Sequence, residues 1–83
     1  MSIKRELFRL FDSLDERIIS GWELHEMMYR RTLRRTYPAT LIQYARDYAD
    51  ISGASFSCVD PQESRYHFTP GVKLGNALLG GKE

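Results

Sequence analysis

The sequence is poor in cysteine and has no long apolar run. Cys58 is the only cysteine among 83 residues, which excludes an internal disulfide and a cysteine-based zinc site. No apolar stretch approaches the ~18 residues of a membrane span, and the charged N-terminal segment lacks the apolar block of a signal peptide. We therefore predict a cytoplasmic protein without a membrane partner. Cys58 itself is expected to be a small buried core residue.

Catalytic signatures are also missing. His25 and His67 lie far apart in the sequence and belong to no metal-ligand spacing. The chain has no defensible Ser-His-acid or Cys-His arrangement, and no glycine-rich phosphate loop follows a strand. A domain of this length builds one modest core, which argues against a deep substrate cavity. We predict no enzyme, cofactor, metal site or small-molecule substrate.

The net charge is only +1, but positive charge is concentrated in one region. Between positions 25 and 46 the sequence places five arginines against one acid, Glu26. A basic block of this kind attracts phosphate even when the whole protein is nearly neutral.

Apolar periodicity and capping residues predict three helices. The first helix ends between residues 13 and 15. In the second, Ser20 and Glu23 form a capping box, so it begins at Gly21 and runs to about Arg31. The third is capped by Thr36 or Tyr37 and carries Pro38 in its first turn. The inward-facing residues are Ile3, Leu7, Leu10, Phe11 and Leu14 in the first helix, Leu24, Met27 or Met28, and Arg31 in the second, and Leu41, Ala45 and Tyr48 in the third.

The chain then changes to a two-residue period. Side chains in segments 55–59 and 65–69 alternate with a period of two residues on either side of a turn at 60–64, which predicts a β-hairpin. A short strand is also expected at 17–19. One hairpin face should pack on the helices through Phe56, Cys58, Tyr66 and Phe68. We divide the chain into a domain at 1–71 and a glycine-rich tail at 72–83. The tail should be disordered from Gly80, and its apolar residues Val72, Leu74, Leu78 and Leu79 are candidates for folding back or for forming a homodimer.

The segment from Thr36 to Tyr48, followed by a hairpin from Phe56 to Phe68, resembles the recognition helix and wing of winged helix-turn-helix domains in bacterial and phage repressors. The resemblance implies an α+β fold in which three helices are followed by a two-stranded β-hairpin wing. It also implies a small transcriptional regulator that binds double-stranded DNA through helix 36–51 and the preceding arginine-rich loop.

The resemblance assigns DNA contacts to particular side chains. Base edges in the major groove would meet Ala39, Thr40 and Gln43, and Arg46 would reach a guanine or a phosphate. An arginine at the wing, Arg65, would enter the minor groove, although acids at positions 60 and 63 oppose this contact. The residues expected to contact phosphate are Arg30, Arg31, Arg34 and Arg35, with Tyr37 either bonding a phosphate or packing.

Two other hypotheses stay open. The near-neutral charge, an exposed Ile42 and the apolar tail are compatible with a protein-interaction module or small subunit that does not bind DNA. Trp22 and the tyrosines suggest stacking on single-stranded nucleic acid, although helical spacing places Tyr44 and Tyr48 in the core.

Overall fold

The structure, a computed structural model, describes residues 2–75. It contains three helices and one antiparallel sheet of three strands, which confirms the predicted α+β class. The elements are α1 (Ile3–Ser13), β1 (Arg17–Ser20), α2 (Gly21–Thr32), α3 (Pro38–Ser52), β2 (Ser55–Asp60) and β3 (Arg65–Thr69).

Helix α1 forms where the apolar stripe predicts it. The Ser2 hydroxyl accepts a hydrogen bond from the Arg5 amide at 3.3 Å and caps the first turn. The stripe faces the sheet and the other two helices, and the buried residues of α1 are Leu7, Leu10 and Phe11 of the stripe together with Phe8. The first helix therefore supplies much of the core.

Helix α2 begins at the predicted cap. The Ser20 hydroxyl accepts from the Glu23 amide at 3.0 Å, while the Glu23 carboxylate accepts from the Arg17 guanidinium. The prediction that Arg31 faces inward was wrong, because a guanidinium is costly to bury and this one instead pairs with Glu6 of α1. The buried residues of α2 are Gly21, Leu24, His25, Met28 and Thr32.

Helix α3 spans Pro38–Ser52 rather than 36–51, with Tyr37 as its N-cap and a left-handed Gly53 as its C-cap. The predicted inward line is confirmed, since the buried residues include Leu41, Ala45 and Tyr48. Ile42 is half-buried against the core rather than exposed, because the hairpin closes over that side of the helix.

The sheet has the order β1-β3-β2. The hairpin of β2 and β3 lies where it was predicted, but the prediction of a two-stranded sheet was incomplete, because β1 pairs along β3 from Arg17 opposite Phe68 to Ser20 opposite Arg65. β3 is consequently the central strand, and Phe68 on it has no exposed surface. The local pattern near β1 cannot reveal this pairing, since its partner lies far away in the sequence.

Cys58 is exposed, so the prediction that it is a buried core residue was wrong. It lies on the edge strand β2 and pairs with the half-buried Tyr66, whereas Phe56 pairs with the buried Phe68. A register shift between Cys58 and Asp60 follows directly. Residues 57–59 of β2 are all exposed, so alternation along this edge strand does not imply burial beyond Phe56.

Residues 70–75 return along the domain. The Val72 amide donates to the Ser52 carbonyl at 2.9 Å, and a Cβ on Gly71 would lie 2.4 Å from the same oxygen, so only glycine fits there. Leu74 packs on the core while Val72 is exposed. The described part of the predicted tail thus folds back, and the predictions for 76–83, including Leu78, Leu79 and disorder from Gly80, lie outside the described residues.

Asp12 at the end of α1 holds this returning segment. Its carboxylate accepts from the Leu74 amide at 2.7 Å, the Gly75 amide at 2.9 Å and the Tyr48 hydroxyl at 2.7 Å. Burial raises the pKa of Asp12, but these three hydrogen bonds and the nearby Lys73 together outweigh it and hold the pKa below its usual 3.8. Burial and the Asp12 carboxylate raise the pKa of Tyr48, so its hydroxyl remains a donor.

Replacing Asp12 with asparagine is expected to lower the free energy of unfolding at neutral pH by about 1–3 kcal/mol. The asparagine oxygen accepts only neutral hydrogen bonds from the Leu74 amide and the Tyr48 hydroxyl, and its NH2 group cannot accept from the Gly75 amide. A carboxyl whose folded-state pKa is depressed stabilises the fold above its ordinary pKa of 3.8 and loses that contribution as the pH falls through the folded-state value. In urea unfolding curves the stabilities of wild type and Asp12→Asn should therefore converge as the pH falls from 3.8 through the folded-state pKa of Asp12. Asp15→Asn, at an exposed site nearby, is the matched control, and an equal loss in both variants would contradict the role of Asp12.

Candidate nucleic-acid interface

The starts of α2 and α3 and the turn of the hairpin meet at Gly21. Its amide donates to the Ser64 carbonyl at 2.9 Å. A Cβ built on Gly21 would lie 3.7 Å from the Cβ of Pro38 and 3.8 Å from the Cβ of Ser64, in ordinary van der Waals contact. Three segments that are far apart in sequence are thus held together, and two surface grooves that share Pro38 lie beside this junction.

The first groove, here the α3 groove, lies between α3 and the hairpin and has a volume of about 340 Å³. It brings together three of the predicted base-contacting or phosphate-contacting residues, Ala39, Gln43 and Arg46, all of them exposed. Thr40 is half-buried and is not part of this lining. The complete lining is Gly21, Pro38, Ala39, Ile42, Gln43, Arg46, Ser64 and Tyr66.

Gln43 is tied to an acid one turn further along α3. Its side-chain amide donates to the Asp47 carboxylate at 3.2 Å, and Asp47 also pairs with Lys4 of α1 at 3.1 Å. The hydrogen bonds from Lys4 and Gln43 lower the pKa of Asp47. Both acidic residues of α3, Asp47 and Asp50, lie in its C-terminal half. The first turn of the helix carries no acidic residue.

The connection between α2 and α3 is held by Thr32. Its buried hydroxyl donates to the Met28 carbonyl at 2.9 Å and accepts from the Arg34 amide at 3.2 Å. Leu33 between them adopts a left-handed conformation with φ 57° and is exposed. The side chain of Arg35 is held over the ring of Tyr29, with 4.9 Å between the guanidinium carbon and the ring centroid.

The second groove, here the aromatic groove, is larger, at about 560 Å³. Its lining residues are Trp22, His25, Arg35, Thr36, Tyr37 and Pro38. Trp22 and Tyr37 expose 71% and 82% of their surface, although large aromatic rings usually gain from burial. Trp22 lies off the buried line of α2, and this position is the sequence signal that could have assigned it to the site.

The predicted arginine patch does not gather on one surface. Arg35 lines the aromatic groove and Arg46 the α3 groove, whereas Arg30 and Arg31 are exposed in the last turn of α2, before the loop. Arg31 pairs with Glu6 of α1 at 3.6 Å. Arg34 is exposed in the loop, and Arg65 is exposed at the start of β3 opposite Asp60. Among the described residues that line the two grooves, Arg35 and Arg46 are thus the arginines beside the junction at Pro38.

The chain matches no protein-family model, and no curated protein or solved structure is similar enough to count as a match. Among residues 2–75, no helix has the length and apolar character needed to cross a bilayer. The same residues contain no group of three histidine, cysteine, aspartate or glutamate side chains that is placed to hold a metal ion.

Proposed function

We propose that this chain is a winged helix-turn-helix domain that binds double-stranded DNA, with α3 in the major groove and Arg35 and Arg46 near the phosphates, in the manner of a small transcriptional regulator. The observation that carries the proposal is the α3 groove, where exposed Ala39, Gln43 and Arg46 lie on one helix face beside the hairpin turn.

The dimensions of helix and DNA support this arrangement. The major groove is about 12 Å wide and accepts an α-helix, whose N-terminal side chains then meet the base edges. In α3 the exposed residues of the first two turns are short or have hydrogen-bonding ends. The hairpin of β2 and β3 follows α3 directly in the chain and lies beside it, which supports the proposal that the hairpin acts as a wing.

Charge supports the N-terminal end of α3 as the end that approaches DNA. The helix macrodipole is positive there, and Tyr37 provides no side-chain cap that would compete for the free amides. The acids Asp47 and Asp50 lie toward the other end, and Asp47 is paired with Lys4. Phosphate is therefore attracted to the start of α3 and repelled from its end.

Selection of bound duplexes from a random pool tests the proposal. We expect one motif to be enriched, and we expect Gln43→Ala to lose discrimination at one base pair, about 1–3 kcal/mol, because a glutamine amide pairs bidentately with adenine. The chain's other glutamine, Gln62 in the hairpin turn, provides the matched control. Gln62→Ala should leave the selected motif unchanged.

A pool that stays flat would overturn sequence recognition. A change of motif in Gln62→Ala but not in Gln43→Ala would place base recognition in the hairpin and contradict the assignment of α3. Failure to bind any duplex at about 50 mM salt would overturn DNA binding itself.

The second candidate function is a protein-interaction module, favoured by the exposed apolar side chains of Trp22, Leu33 and Tyr37. Patches of this kind mark binding surfaces when they are contiguous. The exposure predicted for Ile42, which had favoured this alternative, is not found, since Ile42 is half-buried. A stoichiometric protein complex formed by a chain that does not bind duplex DNA would favour this function over the first.

A further inference from the structure

The aromatic groove has features that duplex binding by α3 does not explain. Trp22 and Tyr37 leave most of their surface in water, and each comes from a different chain segment, the start of α2 and the N-cap of α3. The groove volume of about 560 Å³ lies within the roughly 300–1,000 Å³ typical of sites for small ligands. Two aromatic rings bordering such a space resemble a stacking platform.

Two planar groups of this groove, the Trp22 indole and the Arg35 guanidinium, contact other side chains of the protein. The Trp22 ring meets His25 edge to face, with 5.4 Å between centroids and 77° between planes, and His25 is itself 9% exposed. The Arg35 guanidinium lies over Tyr29 at 4.9 Å. Because the contacts with His25 and Tyr29 restrict these side chains before a ligand arrives, less entropy is lost when a flat ligand binds.

The chemistry of the lining favours a nucleobase with its phosphate over an acidic peptide. The described lining contains the cation Arg35 and no carboxylate, so it suits an anionic ligand. Two lining residues, Trp22 and Tyr37, carry largely exposed aromatic rings, and such rings stack on any base without reading its sequence. An acidic peptide, unlike a nucleobase, does not need two aromatic rings to stack on.

The aromatic groove lies next to the α3 groove, where duplex DNA is proposed to bind. Pro38 lines both the aromatic groove and the α3 groove, so the two grooves adjoin at the first residue of α3. A nucleic-acid strand leaving a duplex that lies on α3 would pass Pro38 and meet the rings of Trp22 and Tyr37.

We propose that the aromatic groove binds unpaired bases, so that the chain recognises a junction between duplex and single-stranded DNA. The duplex half of this inference rests on the proposed function, whereas the stacking half depends only on the groove. Trp22 is the only tryptophan of the chain, so its fluorescence reports directly on occupation of the groove.

The test compares a blunt duplex, the same duplex with a tail of about six thymidines, and a thymidine oligomer of about twelve nucleotides. Labelled DNA gives affinities by anisotropy, and Trp22 emission is followed with unlabelled DNA. We expect the tail to strengthen binding by roughly 5- to 100-fold and to quench Trp22, since each stacked base contributes substantially. Trp22→Ala should remove the advantage of the tail and leave the affinity for the blunt duplex unchanged.

Two variants complete the test. Trp22→Phe retains a ring and should keep part of the tail effect, and Ile51→Ala, an exposed apolar position in the last turn of α3, should keep all of it. Equal affinity for tailed and blunt duplexes with unchanged Trp22 emission would overturn the junction inference while leaving duplex binding intact.

Other outcomes separate the two proposals. If the thymidine oligomer binds and quenches Trp22 but the blunt duplex does not bind, the stacking assignment stands and the proposed duplex function fails. If a peptide of alternating glutamate and phenylalanine quenches Trp22 and no DNA does, both are overturned, and the groove is a protein-binding site.

Discussion

Arg35→Ala combined with Arg46→Ala is expected to weaken binding of every duplex by roughly 10- to 100-fold at about 50 mM salt. Each exposed guanidinium borders one of the two grooves that meet at Pro38, where a phosphate backbone would pass. Phosphate contacts position the protein without reading sequence, so all duplexes should be affected alike. The slope of log affinity against log salt should fall by about 2, because two contacts that release counterions are lost.

A charge-matched variant tests whether position or net charge is responsible. Arg9→Ala combined with Lys73→Ala removes the same charge from the α1 side, where Arg9 pairs with Glu6 and Lys73 donates to the Asp12 carbonyl. Its affinity and salt slope should stay close to those of the wild type. If both double variants lose affinity equally, attraction depends on total charge and the arrangement proposed for Arg35 and Arg46 is wrong.

Phe11→Ala is expected to lower the free energy of unfolding by about 3–5 kcal/mol. The Phe11 ring is 1% exposed and has ring centroids at 5.8 Å from Tyr48, 5.8 Å from Phe56 and 5.0 Å from Phe68. It therefore joins α1 to α3 and to two strands at once. Removing it leaves a cavity that three other rings cannot fill without moving, in a domain whose total stability is of the order of 5–15 kcal/mol.

Thermal unfolding measures the effect of Phe11→Ala as a fall in Tm of about 12–40 °C, since 1 kcal/mol corresponds to about 4–8 °C at this size. Phe11→Leu retains much of the volume and should lose roughly 1–2 kcal/mol. Ile51→Ala, at an exposed position, should change stability by less than about 0.5 kcal/mol. A Phe11→Ala variant as stable as Ile51→Ala would show that these rings do not form one cooperative core.

Local patterns were sufficient for most of the elements. The cap at Ser20 begins α2, Pro38 begins α3, and Gly53 ends it, because each acts on backbone groups within one or two helical turns. The inward line of α3 and the hairpin also follow from short-range periods. These features depend on neighbouring residues, so the sequence predicts them without knowledge of the fold.

The candidate site was predicted only in part. The side chains of Gln43 and Arg46 share a groove because they lie one turn apart on α3, which helical spacing implies. The arginine block was expected to act as one patch, but Arg31 pairs with α1 and Arg35 stacks on Tyr29. Density of charge along the chain does not determine where long, flexible side chains find their partners.

The sequence by itself determined which segments become helices and strands, which line of the third helix faces inward, and that positive charge is concentrated between positions 25 and 46. Only the tertiary structure decided that β1 completes the sheet, that Cys58 is exposed, that Asp12 holds residues 74 and 75, and that two grooves meet at Pro38. The physical reason is distance along the chain. Caps and periods act between residues a few positions apart, whereas these features arise where segments remote in sequence pack against one another.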